Sequence, residues 1–186
     1  MPRYLALLRG INVGGRNKVA MADLRDLATA LGLADATTYI QSGNLLFSCA
    51  ETDAAELADK LETEIASRLG VRPAVIVLSR GDLKQVIADN PYPSEPNPRC
   101  LHAVFRRDEI GPDGIAAVAA AVQRARDTGG RDDATIVGRT LFLHTPDGFG
   151  SSELAARLSS GKAQAAGTAR NWATVMKLMG MLDVVS

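Results

Sequence analysis

The sequence predicts an α+β fold in two halves, and three observations carry that expectation. Short apolar runs alternate with amphipathic stretches of helical period, and the order repeats in the second half of the chain. Midway, Pro91, Pro93, Pro96 and Pro98 crowd a segment that neither a helix interior nor a central strand could hold. With 186 residues, 46% of them apolar, the chain can bury about 70% of its unfolded surface.

Tyr4 to Arg9 reads as a buried strand, and after the loop Gly10 to Lys18 a helix starts near Ala20. Met21, Leu24, Leu27, Ala28 and Leu31 fall on one face of that helix, which Gly32 ends. Thr37 to Gln41 and Leu45 to Cys49 form a hairpin around Ser42, Gly43 and Asn44. Asp53 and Glu56 have capping-box spacing before the helical stripe Leu57, Leu61, Ile65 and Leu69, and Gly70 stops the helix. Ala74 to Leu78 closes the unit as a strand. The order βαββαβ is the split pattern of a ferredoxin-like unit, with two helices over one face of an antiparallel sheet.

A short helix, Asp82 to Ala88, leads into the prolines. The pattern then restarts with strand Leu101 to Arg107 and a helix from Pro112 through Ile115, Val118 and Val122. A second hairpin, Ala134 to Val137 and Leu141 to Thr145, turns at Gly138 and Arg139. Ser151 or Ser152 caps a helix through Leu154 and Leu158, Gly161 to Gly167 is a small-residue connection, and a last helix starts near Thr168 with Trp172, Val175, Met176, Met179 and Leu182 inward. The expected boundaries are residues 1–79 and 100–186 for two ferredoxin-like units, the second with a C-terminal helix, and residues 80–99 for a short helix and Pro-rich linker.

Charge and cysteine content narrow the function classes. The 21 Lys plus Arg balance 21 Asp plus Glu, which argues against bulk attraction to nucleic acid or anionic membranes but leaves room for a local patch. No apolar run spans a bilayer and the N-terminus has no signal-peptide core, so a cytoplasmic protein without membrane contact is expected. Cys49 and Cys100 fit neither a disulfide framework nor a zinc site. No metal and no cofactor are expected.

The most unusual stretch is Arg9-Gly-Ile-Asn-Val-Gly-Gly-Arg-Asn-Lys18, between a strand and a helix, where backbone amides can attract anions. It is not a Walker loop, since Arg16 and Asn17 stand where lysine and a hydroxyl are needed, and its glycines miss the dinucleotide fingerprint. It reads either as a contact loop for phosphate or nucleic acid or as a connection whose glycines supply positive φ. The first 18 residues hold Arg3, Arg9, Arg16 and Lys18 without an acid, and residues 154–186 hold Arg157, Lys162, Arg170 and Lys177 against Asp183 alone. A positive groove follows if the two ends meet. The candidate ligand-binding residues are therefore Arg9, Asn12, Gly14, Gly15, Arg16, Asn17, Lys18, Gln41, Ser42, Asn44, Arg170, Asn171 and Lys177. No residue earns a catalytic assignment. His102 and His144 lie on predicted strands and could face one another if those strands are neighbours, but two histidines alone make no catalytic zinc site and ordinary sheet histidines are the better reading. Tyr4 and Phe47 are too few aromatics for a typical RNA-reading sheet.

Four segments, Tyr4 to Lys18, Met21-Ala-Asp-Leu-Arg25, Tyr39-Ile-Gln-Ser-Gly-Asn44 and Thr168-Ala-Arg-Asn-Trp-Ala-Thr-Val-Met-Lys-Leu178, resemble the bacterial domain-of-unknown-function-1697 family. That resemblance implies paired ferredoxin-like units and no function. The residues favour a binding module for a phosphate-bearing ligand or nucleic acid. The alternatives are an enzyme on a small phosphorylated or carboxylated metabolite, which lacks a base or nucleophile, and a protein-interaction scaffold; the oligomeric state is not legible.

Overall fold

The structure is a computed structural model that describes residues 1–50, 53–160 and 167–184. It has two four-stranded antiparallel sheets, and with six α-helices among the described residues the chain is of the α+β class. Its contacts divide the chain into two units, one of Met1–Gln85 together with the chain from Leu178 on, the other of Val86–Lys177. The division falls inside helix α3 (Arg80–Ala88), ahead of the Pro-rich segment, and again inside helix α6 (Trp172–Asp183).

In the first unit, β1 (Arg3–Leu8) lies between β3 (Asn44–Ser48) and β4 (Val75–Ser79), with β2 (Ala34–Tyr39) at the edge, giving the order β2-β3-β1-β4. The register pairs Tyr4 with Phe47 and Ala6 with Leu45 and Val77. Those residues share one face and pack on Leu24, Leu27 and Ala28 of α1 (Met21–Ala30) and on Leu57, Leu61 and Ile65 of α2 (Ala54–Leu69). Tyr4 and Phe47 stack at 5.9 Å in that core, so neither is offered as a base-stacking platform. Leu5, Leu7 and Leu46 on the opposite face are equally buried, which explains why β1 and β3 are continuous apolar runs instead of alternating ones. The expected start of α2 is present: Asp53 Oδ1 accepts from the amides of Ala55 at 2.8 Å and Glu56 at 3.1 Å, and Gly70 follows the helix with φ 69°. Along β2 the register slips between Ala34 and Thr37, at Asp35 with φ 54°.

The second unit repeats the arrangement in the order β6-β7-β5-β8, with β5 (Leu101–Phe105), β6 (Asp133–Val137) and β7 (Thr140–His144) where the sequence places strands. Val104, Leu141 and Leu143 pack on Val118 and Val122 of α4 (Pro112–Asp127) and on Leu154 and Leu158 of α5 (Glu153–Ser160). Ser152 caps α5, its hydroxyl accepting from the amide of Ala155 at 2.8 Å.

Several expectations are corrected here. Thr168–Asn171 is not the first turn of the last helix but strand β8, paired antiparallel with β5, so the second unit completes its own βαββαβ series before α6 begins at Trp172. The short run Thr168-Ala-Arg-Asn lacks the alternation that marks a strand, and the neighbouring β5 supplies its hydrogen-bond partners. Met176, expected to point inward, is about half exposed, at 47%. The expected connection 161–167 lies, apart from its last residue, outside the described residues. No described helix is long and apolar enough to cross a membrane.

His102 and His144 do sit on neighbouring strands, but the register pairs Leu101 with His144 and His102 with Leu143, which sends the two imidazoles to opposite faces. His102 stacks on Phe149 at 4.1 Å, and its buried Nδ1 makes no hydrogen bond among the described residues. Burial pushes its pKa down to about 4. In the unfolded chain the ring takes a proton near pH 6.5, whereas the folded site refuses it until about 4. Stability is therefore complete above the unfolded value and falls as the pH drops through that window. Discounted for partial exposure, the loss is about 1–2 kcal/mol. His102→Phe, which keeps the ring stack, should reduce by that amount the stability difference between pH 8 and pH 5 in urea melts.

Candidate functional site

The glycine loop forms a closed finger. Gly14 and Gly15, with φ of 57° and 75°, make a two-residue turn that lets the amide of Arg16 donate to the carbonyl of Val13 at 3.0 Å. A second rung joins the amide of Asn12 to the carbonyl of Asn17 at 3.1 Å. Both asparagines have positive φ, 55° and 49°, which Asn tolerates better than most residues. Their side chains tie the base of the finger. Asn12 Nδ2 donates to the carbonyls of Val19 at 2.9 Å and Gln41 at 3.0 Å, Asn12 Oδ1 accepts from the amide of Val19 at 2.9 Å, and Asn17 Nδ2 donates to the carbonyl of Gly10 at 3.0 Å.

The β2–β3 turn, Ile40 to Gly43, folds back on this finger, the condition under which Gln41, Ser42 and Asn44 could share a surface with it. Besides the Asn12–Gln41 bond, the amide of Leu8 donates to the carbonyl of Gly43 at 2.8 Å. Asn44 is fully buried and shapes the turn, its Nδ2 donating to the carbonyl of Tyr39 at 3.0 Å and to the hydroxyl of Ser42 at 2.9 Å. Thus Asn12, Asn17 and Asn44 shape the two loops through backbone and side-chain bonds, Asn44 buried and Asn17 exposed. What the two loops present to solvent is Arg16, Lys18 and Gln41, with Arg9 half-buried beside them. Val13 at the fingertip is 66% exposed, and Ile40 is 51% exposed despite being a β-branched residue at φ 49°. Among the described residues Arg9, Arg16 and Lys18 have no ion-pair partner.

The remaining candidates belong to the second unit. Arg170 is buried on β8, where its guanidinium donates to the hydroxyl of Thr168 at 2.7 Å and the carbonyl of Ala169 at 2.8 Å, and burial pushes its pKa down to about 10. Asn171 caps α6, accepting from the amide of Thr174 at 2.8 Å; Lys177 is exposed on that helix. The basic N-terminus does meet the chain end within the first unit, but the cations are consumed there. Arg3 donates to the carbonyls of Met181, at 2.9 Å, and Val184, and Arg80 pairs with Asp183 at 2.6 Å. A cavity of about 420 Å³ lies at that junction, where the cations Arg3 and Arg80 are accompanied by the carboxylates of Asp35 and Asp183.

In the second unit His144 is joined by Tyr92 and Glu95, two residues of the Pro-rich segment that in the sequence marks only a boundary. The aromatic residue between two prolines was the available signal. Among the described residues no group of three or more His, Cys, Asp or Glu could hold a metal ion.

The two loops approach each other tightly at one point. A Cβ on Gly43, which has φ 76°, would lie 2.8 Å from Leu8 Cβ and 2.9 Å from Ile11 Cδ1, whereas one on Gly14 would meet nothing within 4 Å. Gly43→Ala should cost about 2–4 kcal/mol, the left-handed penalty plus the overlap, and Gly14→Ala about 1 kcal/mol, the penalty alone, in denaturant unfolding.

No curated protein matches the chain. Its fold is similar to that of the conserved bacterial protein SP0830 from Streptococcus pneumoniae, with a TM-score of 0.80 and 27% identity over 98% of this chain and 99% of that one. The model of the protein family of unknown function DUF1697 matches residues 1–142, which take in the whole finger, the β2–β3 turn and Tyr92 and Glu95 of the cluster, and stop two residues short of His144. By that match, the chain belongs to the DUF1697 family.

Proposed function

We propose that the protein is a cytoplasmic binding module whose first unit grips a phosphate-bearing partner, a nucleic acid, with the finger and the adjoining turn. One observation carries the reading: three cations, Arg9, Arg16 and Lys18, lie on a finger closed by its own hydrogen bonds, in a sequence stretch without an acid and without an ion-pair partner among the described residues. A preformed loop loses little conformational freedom on binding, so the attraction of its charges is not spent on ordering it. Gln41 adds an amide beside the cations, and Val13 and Ile40 offer aliphatic surface for sugar and base edges. The buried Arg170 and the capping Asn171 take no part in this reading, which rests on the first unit alone. That Asn12, Asn17 and Asn171 each bind backbone groups favours this reading over an enzyme that would use them to orient a substrate.

Binding of this kind should weaken steeply with salt. Each cation that neutralises a phosphate adds about 0.7–0.9 to the steepness of log K against log salt. Arg16→Ala and Lys18→Ala should therefore each flatten the slope by nearly one while leaving the melting temperature of the free protein unchanged. Fluorescence anisotropy with short single- and double-stranded oligonucleotides measures it. Absence of binding at low salt, or a slope that neither substitution changes, would sink the proposal.

A further inference from the structure

A second site is built into the other unit, independent of the finger. His144 at the end of β7 shares a proton with Glu95, Nε2 to Oε2, at 2.6 Å, and the two side chains are only 21% and 13% exposed. Tyr92 stacks on the imidazole at 4.9 Å, and its hydroxyl meets that of Thr135 at 2.8 Å. The Pro-rich segment is thus strapped onto the strands by two side chains.

The chemistry of the pair follows from its donors and acceptors. The bond from His144 and a further one from the amide of Asn97 at 2.8 Å hold the Glu95 carboxyl below its usual range, so it is ionised at neutral pH and can only accept. The proton therefore sits on Nε2, and in the neutral ring Nδ1 carries the lone pair. Nδ1 makes no hydrogen bond among the described residues and is not among their sealed, unpartnered atoms, so solvent reaches it.

A cavity of about 290 Å³ opens beside the pair, lined by Pro91, Tyr92, Pro93, Ser94, Glu95 and His144. That volume suits a single ring-sized ligand. Its walls are two rigid pyrrolidines and an aromatic ring, and among the described residues that line it the Glu95 carboxylate is present and no Lys or Arg. Such a lining disfavours an anion. His144 thus lines the cavity with a ring whose second nitrogen makes no hydrogen bond among the described residues.

We propose that this cavity binds a small uncharged or cationic ring compound bearing a hydroxyl or amine, whose proton is donated in a hydrogen bond to Nδ1 of His144 while the ring lies against Pro91, Pro93 and Tyr92. Glu95 is the positioning residue, since it fixes which nitrogen is free.

Because the chain has two histidines, imidazole NMR resonances report the site directly. Benzyl alcohol, benzylamine and benzoate share a ring and differ in the group offered to Nδ1. The first two should shift the His144 signals to saturation and leave His102 unmoved, and benzoate should bind at least tenfold more weakly. The same two compounds should shift the ring resonances of Tyr92, which stacks on the imidazole and lines the cavity, and in His144→Gln those Tyr92 shifts should be lost. If that variant disturbs the strap, Glu95→Gln serves in its place; it keeps the cavity, releases the tautomer and should weaken binding severalfold. Equal shifts from benzoate, no saturable shift from any of the three, or ¹⁵N shifts showing the neutral proton on Nδ1 would overturn the proposal.

Discussion

Asn12 is the residue on which the surface of the first unit depends. In one side chain it satisfies the amide and carbonyl of Val19, where the chain heads into α1, and the carbonyl of Gln41, in the turn between β2 and β3. These are backbone groups that secondary structure leaves without partners, and an unpaired one costs about 1–3 kcal/mol when buried. By serving all three, one amide fixes the finger, the entry to the helix and the hairpin tip in a single geometry. Everything presented outward, from Arg16 to Ile40, inherits its position from that junction.

A glycine-rich, polar loop is easily read as a mobile one. Here the opposite holds, because the glycines allow a tight two-residue turn and the asparagines close it with their own side chains. The backbone that carries Arg16 and Lys18 is thereby held by hydrogen bonds within the finger itself. The second unit uses another means to a similar end: Pro91 and Pro93 restrict the backbone, and Tyr92 and Glu95 anchor it to the sheet.

Much of the fold was legible from local signals. Asp53 before α2, Gly70 after it, Pro112 at the start of α4 and Ser152 before α5 act through neighbours within a few residues, so sequence alone reveals them. Strand β8 was not legible, because four residues without alternation become a strand only when β5 offers its edge. The same distinction governs the candidate site. The finger was visible as a cluster of glycines and cations, but the committed roles of Asn12 and Asn17, the burial of Arg170 and the pairing of Glu95 with His144 all depend on residues far away in sequence or on packing. Polar side chains look alike in a sequence whether they face a ligand or a carbonyl.

The irregularity in β2 bears on the behaviour of the protein in a crowded solution. As the outer strand of its sheet, β2 presents a row of backbone groups that another chain could extend. The slip between Ala34 and Thr37, with the exposed carboxylate of Asp35 at a left-handed position, breaks that row and puts a negative charge on it. Strand addition by a stranger would meet a kinked template and an unwelcome charge. An irregular, charged outer strand of this kind is the sort of edge that disfavours intermolecular sheet growth.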